Sequence, residues 1–374
     1  MNKNISRLMA STLALLLILS LVACSSTAGP TPSASSQAPA QSPTAGKPAE
    51  ASPAQPTQPA AKTFPSKGLT LIVPWNAGGS SDLIGRLLVA EMEQTLGQKF
   101  SVVNTPGATG TVGMNDANNK PHDGYTLIAN ATPYSHGVMG LADWKPSDWD
   151  FLGAYYVPGI IAVSKDSQYK TFDDLFQALK NSPGTVTGGT AGAGSTGFTN
   201  MELLKSAVPE MGHYEHIAYA GGAAAVTATL AGEVDFTPQL SNEMIDLLRS
   251  GDLVALAALT EEDLTLEGIP YTIPSIQNFL PETAQVLPCG DAFGLMFPSD
   301  VPQEAKDALE AAYLKACESD AAKSFAREKG VILEGMNLAQ SNKLRDDTAS
   351  KVCWIFYDSG VAKNSPEGFG IARP

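Results

Sequence analysis

The sequence predicts an α/β protein of two lobes with a ligand cleft between them. From Phe64 onward, strand-like and helix-like segments alternate, the pattern of an open sheet with helices on both faces. At 374 residues the chain is long for a single core. Two glycine-rich junctions, each after a β-like run and before a helix, lie over 100 residues apart. The first is Pro74-Trp75-Asn76-Ala77-Gly78-Gly79-Ser80-Ser81-Asp82, and the second is Thr190-Ala191-Gly192-Ala193-Gly194-Ser195-Thr196-Gly197. At such a junction the first N–H groups of the helix lack internal partners, and adjacent glycines let the loop turn its own N–H groups the same way. The expected product is an anion pocket, with the two junctions facing each other across a carboxylate.

The first 62 residues stand apart from both lobes. Lys3 and Arg7 precede the apolar run Leu13–Leu19, which Leu21-Val22-Ala23-Cys24 closes. Residues 1–24 therefore read as a secretion signal, too short to span a membrane. The Leu-Val-Ala-Cys ending resembles a bacterial lipoprotein box, with cleavage before Cys24 and lipid on its thiol; the alternative is an ordinary signal with a chance cysteine. Residues 25–62 are almost wholly Ser, Thr, Ala, Pro, Gln and Gly, a composition that cannot bury a core and suits an extended tether. No later run reaches spanning length, so the remainder is expected to be soluble and extracytoplasmic.

Charge narrows the function classes. The formal net charge is -14, and losing Lys3 and Arg7 with the signal leaves 22 basic residues against 38 acidic ones. Such a field repels nucleic acid and gives no general attraction for anions, so any anion site must be local. Cys289, Cys317 and Cys353 are too few for a disulfide scaffold, and a Cys317–Cys353 bridge between two helices is left open.

The elements follow in order. Leu69–Val73 is a strand, and the helical spacing of Leu83, Ile84, Leu87, Leu88, Met92 and Leu96 ends at Gly97. Phe100–Asn104 is a second strand, and Pro106–Gly113 is another glycine-rich turn into helix. Asp123-Gly124 turns into the strand Tyr125–Ala129, and the loop after it carries Thr132, Ser135 and His136 beyond a strand's carboxyl end, where open sheets hold ligands. A strand around Gly159–Val163 leads into the second lobe, and Thr171 with Asp174 forms a capping box. Next come a helix near Met201–Leu204, the strand His216–Tyr219, Gly221-Gly222 opening a helix over Ala223–Leu230, a turn into a strand at Ala231–Phe236, and the strand Leu253–Leu259. From Ala292–Phe297 the chain returns to the first lobe. A helix after Asp300, with Gln303 as its reciprocal cap, and a last helix near Ser341–Tyr357 are expected to brace the hinge. The expected division is lobe 1 at 64–163 and 286–374, and lobe 2 at 164–285.

The chemistry-bearing residues discriminate between classes. Residues 192–197 satisfy a dinucleotide fingerprint, yet Glu215 precedes the next strand instead of ending it, and an exported protein has little access to the cofactor. The preferred reading keeps the N–H groups and the Ser195 and Thr196 hydroxyls but places a carboxylate there; the bland alternative is that the glycines serve only tight turns. Asp82 either favours the positive helix start while pointing away, or fixes a water or a ligand ammonium. Trp75 is either a lid over the ligand or core. His213 and His216 straddle a strand entry and diverge, His122 and His136 read as surface or satisfied loop residues, and no metal site or cofactor is expected. No Gly-x-Ser-x-Gly is present, which disfavours a hydrolase built on Ser195.

With these residues in view the chain resembles the solute receptors of tripartite tricarboxylate transporters, also called Bug or TctC-like receptors. The similarity runs in order from Phe64 to about Tyr357. It rests on Pro74–Asp82, Asn104–Gly110, Asp123–Leu127, Gly192–Gly197, Tyr219–Ala223 and Gly232–Asp235. The resemblance implies a type II periplasmic-binding-protein fold whose two lobes close on one carboxylate. By position it implies contacts from Ala77, Gly78, Gly79, Ser80, Thr132 and Ser135 in the first lobe and from Thr190, Gly194, Ser195, Thr196 and Gly221 in the second. The family often has lysine and proline where this chain has Ala220 and Ala224, and a smaller aromatic at Trp75. The implied function is capture of a small organic carboxylate (a di- or tricarboxylate, an acidic amino acid or an aromatic acid), without chemistry. A lipid-anchored monomer would hand it to a two-subunit membrane permease. The rival readings are a ligand-sensing lipoprotein for a membrane signalling partner and, from the fingerprint alone, a nucleotide-dependent enzyme.

Overall fold

The computed structural model describes residues 64–131 and 134–374. The signal, Cys24, the tether and Thr132 lie outside the described residues. The first sheet contains β1 (Leu69–Val73), β2 (Phe100–Asn104), β3 (Thr126–Ala131), β4 (Trp149–Pro158), β9 (Gly290–Pro298) and β10 (Ile332–Leu333), in the spatial order β10-β4-β9-β3-β1-β2. β1 runs parallel to β2 and β3, whereas β9 is antiparallel to both β3 and β4.

Alternation along these strands sorts side chains to two faces, because successive Cβ atoms point to opposite sides. Leu71, Leu127, Leu152 and Leu295 enter one core with α1 (Ser80–Leu96) and α7 (Gln303–Cys317). Ile72, Ile128, Phe151 and Met296 enter the other, against α2 (Thr111–Asn118). Both faces are covered, so the central strands are apolar throughout instead of alternating. That explains why β4 was missed in the sequence: Trp149–Pro158 is buried at nine of ten positions and offers no polar-out rhythm.

The second sheet pairs β5 (Ile160–Ser164) antiparallel with β8 (Leu253–Ala258), and β6 (Val186–Thr190) parallel with β7 (Tyr214–Ala218). Phe236 and Thr237 bridge the two pairs through Gly188 and Ala162. Around it lie α3 (Phe172–Asn181), α4 (Thr196–Ala207), α5 (Gly222–Ala231) and α6 (Ser241–Ser250). Thr171 and Asp174 make the expected reciprocal cap of α3. The sequence reading passed over α6, whose buried Met244, Ile245 and Leu248 form a short apolar stripe.

The chain changes sheet at Gly159, whose N–H donates to Cys289 O at 2.9 Å while its own carbonyl accepts from Leu259 N–H at 2.9 Å. Cys289 N–H closes the triangle on Leu259 O at 2.8 Å. A Cβ at Gly159 would lie 2.6 Å from Asn200 Nδ2, so the crossover packs backbone against side chain. Beyond β9, α8 (Asp320–Lys329) leads to β10, and α9 (Leu338–Asp358) closes the fold. Its first half holds β4: Ser341 Oγ accepts from Gly153 N–H and Asn342 Oδ1 from Phe151 N–H. Its second half, with Val352, Cys353 and Phe356, enters the core of the second sheet.

Two expectations are corrected. Gln303 is not a reciprocal cap: Pro302 occupies the N-cap, makes no side-chain cap bond, and Gln303 Nε2 donates instead to Asp307. Cys317 and Cys353 are both free and buried in different cores, so no bridge joins them.

Candidate ligand-binding site

Three helices begin at one cavity of about 280 Å³ between the sheets. α1 starts at Gly79, α4 at Ser195 and α5 at Gly221, and none of these N-cap residues makes a side-chain cap bond. Each helix start carries about half a positive charge, and these three bring theirs to bear on the same space. Among the described lining residues there is no lysine or arginine, and Glu243 is the one carboxylic acid.

Of the residues anticipated from sequence, Trp75, Ala77, Gly79, Ser80, Ser195, Thr196 and Gly221 line this cavity. Trp75 is held by its indole N–H, which donates to Asn130 Oδ1 at 2.8 Å. Ser195 Oγ is buried with no hydrogen-bond partner. Gly78, Asp82, Ser135, Thr190 and Gly194 stand behind the wall. Asp82 accepts from Gly78 N–H at 3.1 Å, from Asn104 Nδ2 at 2.9 Å and from Arg86 Nε at 2.8 Å. Burial alone would push its carboxyl up, but Asn104, Gly78 and Arg86 together hold it below the usual range. Asp82 therefore shapes the first loop and points away from the cavity.

Thr190 plays the same part in the second loop, its Oγ1 lying 2.6 Å from His216 Nε2 and accepting from Gly192 N–H at 3.2 Å. Gly194 turns that loop at a φ of +86°, a conformation that side chains disfavour. His136 is buried, with Nε2 3.1 Å from Thr109 O, and burial pushes its imidazole down to about 4. Among the described residues no group of three or more His, Cys, Asp or Glu could hold a metal.

Glu243 was not anticipated. It stands in the first turn of α6, where an acid is ordinary at a helix start and so gives no signal in sequence. Its Oε1 accepts from Ser80 N–H at 3.2 Å, reaching across to the first turn of α1. Ser80 Oγ lies 3.1 Å from the same oxygen and 2.9 Å from Asn242 Oδ1, so its single proton serves one acceptor at a time. A Cβ at Gly222 would collide with the Glu243 carboxylate, which rests directly on the start of α5. Burial pushes the Glu243 carboxyl above the usual range, against the bonds from Ser80. Its Oε2 and the Nε2 of Gln239 are sealed from solvent without partners.

Two α/β lobes joined by two crossovers, meeting on a cavity ringed by helix starts, define a solute-binding protein of the type II periplasmic class. The chain belongs to the tripartite tricarboxylate transporter family receptors, whose sequence profile matches residues 84–361. A relative encoded between tcbD and tcbE in Pseudomonas sp. strain P51 is 30% identical over 182 residues, 46% of this chain and about half (52%) of that protein. Another, from the gbd 5′ region of Cupriavidus necator, is 28% identical over 310 residues, 77% of this chain and 93% of that protein. Among solved structures, Rpa4515 of R. palustris with adipate matches at a TM-score of 0.68 and 22% identity, covering 80% of this chain and 99% of that one. MatC of Rhodopseudomonas palustris with bound malate matches at 0.69 and 21% identity, covering 78% and 99%. At these identities the structural likeness establishes the fold.

Proposed function

We infer that the protein captures a small organic carboxylate in the cleft and delivers it to a membrane permease, without chemistry. The observation that carries this reading is the convergence of three helix starts, none capped by its own N-cap side chain, on one cavity with no basic side chain among its described lining residues. Hydrogen bonds from neutral donors to an ionised acceptor contribute about 1.5–3 kcal/mol each, so a few N–H groups suffice for useful affinity. Family membership supports the receptor role, and two structural neighbours carry adipate and malate.

The ligand-binding set in this reading is Trp75, Ala77, Gly79, Ser80, Ser195, Thr196 and Gly221, with Gly78, Asp82, Thr190 and Gly194 shaping the loops behind them. One lobe is built on the first sheet and the other on the second, which begins with β5 at Ile160, four residues before the boundary expected from sequence, and the two close on the solute. Cys24 carries the lipid, residues 25–62 are the tether, and the receptor works as an extracytoplasmic monomer.

A thermal-shift screen over di- and tricarboxylates, amino acids and aromatic acids tests the function. At least one of these classes is expected to raise the melting temperature by several degrees through mass action. A melting temperature indifferent to all of them removes the carboxylate reading.

A further inference from the structure

The cleft holds a carboxylate of its own. Glu243 lines the cavity where the starts of α1 and α5 meet, one oxygen taking the Ser80 N–H and the other buried against Gly222 without a hydrogen-bond partner. A ligand carboxylate entering beside it meets like charge, and among the described lining residues no lysine or arginine neutralises the pair. A cationic group on the ligand resolves this: it pairs with the Glu243 carboxylate and screens the two carboxylates from each other. We propose that the ligand carries an ammonium next to its carboxylate, as an amino acid does, and that Glu243 is the residue that selects for it.

This inference rests on the carboxylate-receptor reading and deepens it. In it the ligand's carboxylate faces the N–H groups at Ser195–Thr196 and the first glycine loop. Its ammonium pairs with the Glu243 carboxylate, and its carbon skeleton lies against Trp75, Leu240 and Phe293. A buried carboxylate without a cation is expensive, so an amine-free analogue has to bring a proton with it or bind weakly. Glutamine at 243 keeps an acceptor for Ser80 N–H but removes the charge that an ammonium needs.

Calorimetry at pH 7.5 on three matched pairs tests the proposal: leucine against 4-methylpentanoate, glutamate against glutarate, and aspartate against succinate. The wild-type protein is expected to bind the amine-bearing member of at least one pair tenfold or more tightly than its amine-free partner. Glu243→Gln is expected to weaken that member at least tenfold while leaving the amine-free partner unchanged or tighter. Equal or tighter wild-type binding of the amine-free members overturns the proposal and leaves the carboxylate receptor standing. A preference that survives Glu243→Gln unaltered also overturns the role of Glu243. Heat from neither member of any pair, in a protein with an intact thermal transition, overturns the proposal, and the thermal-shift screen over all the acid classes decides the receptor reading separately. The wild-type ratio stands whether or not the variant folds.

Discussion

His136 shows how one buried side chain sets a pH limit on this protein. Its imidazole packs 4.9 Å from the Trp144 ring, centroid to centroid, and burial lowers its pKa from 6.5 to about 4. Between those values the unfolded chain binds the proton more readily than the folded one, so stability falls as pH drops through that window and levels off below about 4. The contribution lost between pH 7.5 and 5 is about 2 kcal/mol. Glu243 and Glu334 have raised carboxyl values and act with the opposite sign, so the comparison must be made against a variant. Urea unfolding at the two pH values is expected to show a larger loss in the wild type than in His136→Gln by about that amount. Equal losses would place His136 outside the acid response.

The start of α1 is the element on which the site turns, and proline can test it without breaking the helix. Ser80 is the first helical residue, a position where proline is tolerated because no intrahelical bond uses that N–H. Ser80→Pro deletes the N–H that holds Glu243 at the cavity wall, and ligand affinity is expected to fall about tenfold as that carboxylate loses its position. Ser80→Ala keeps the N–H, loses only the hydroxyl, and is expected to cost less than the proline; calorimetry on both separates main chain from side chain.

Legibility differed among elements for reasons of the same kind. The first loop and the capping box at Thr171 declare themselves because their chemistry is local, and β2 begins and ends where the sequence placed it. β4 hid because both its faces are buried, and α6 because its apolar stripe is short. Glu243 was invisible because its meaning comes from Ser80, 163 positions away in the chain. Thr190 and Asp82 were recognised as belonging to the site, but the sequence could not show that they face its scaffold.

At the scale of the whole molecule, an acidic chain offers a ligand carboxylate helix starts in place of basic side chains. The net charge of -14 surrounds a cavity with no basic residue among its described lining residues. Affinity measured by calorimetry is therefore expected to change less than about threefold between roughly 0.05 and 0.5 M salt, because screening weakens exposed charge pairs far more than enclosed N–H contacts. A steep loss with salt would point to exposed cations as the grip.

α9 constrains what the two lobes can do. Over 21 residues, about 30 Å, this rod is rooted in the first sheet at one end and sunk into the core of the second at the other. A jaw fastened along such a strut cannot swing wide without tearing buried side chains from one end of it. In the receptor reading proposed above, closure is therefore expected to be a small twist about the strut, leaving the outer contour of the empty and the loaded protein nearly alike.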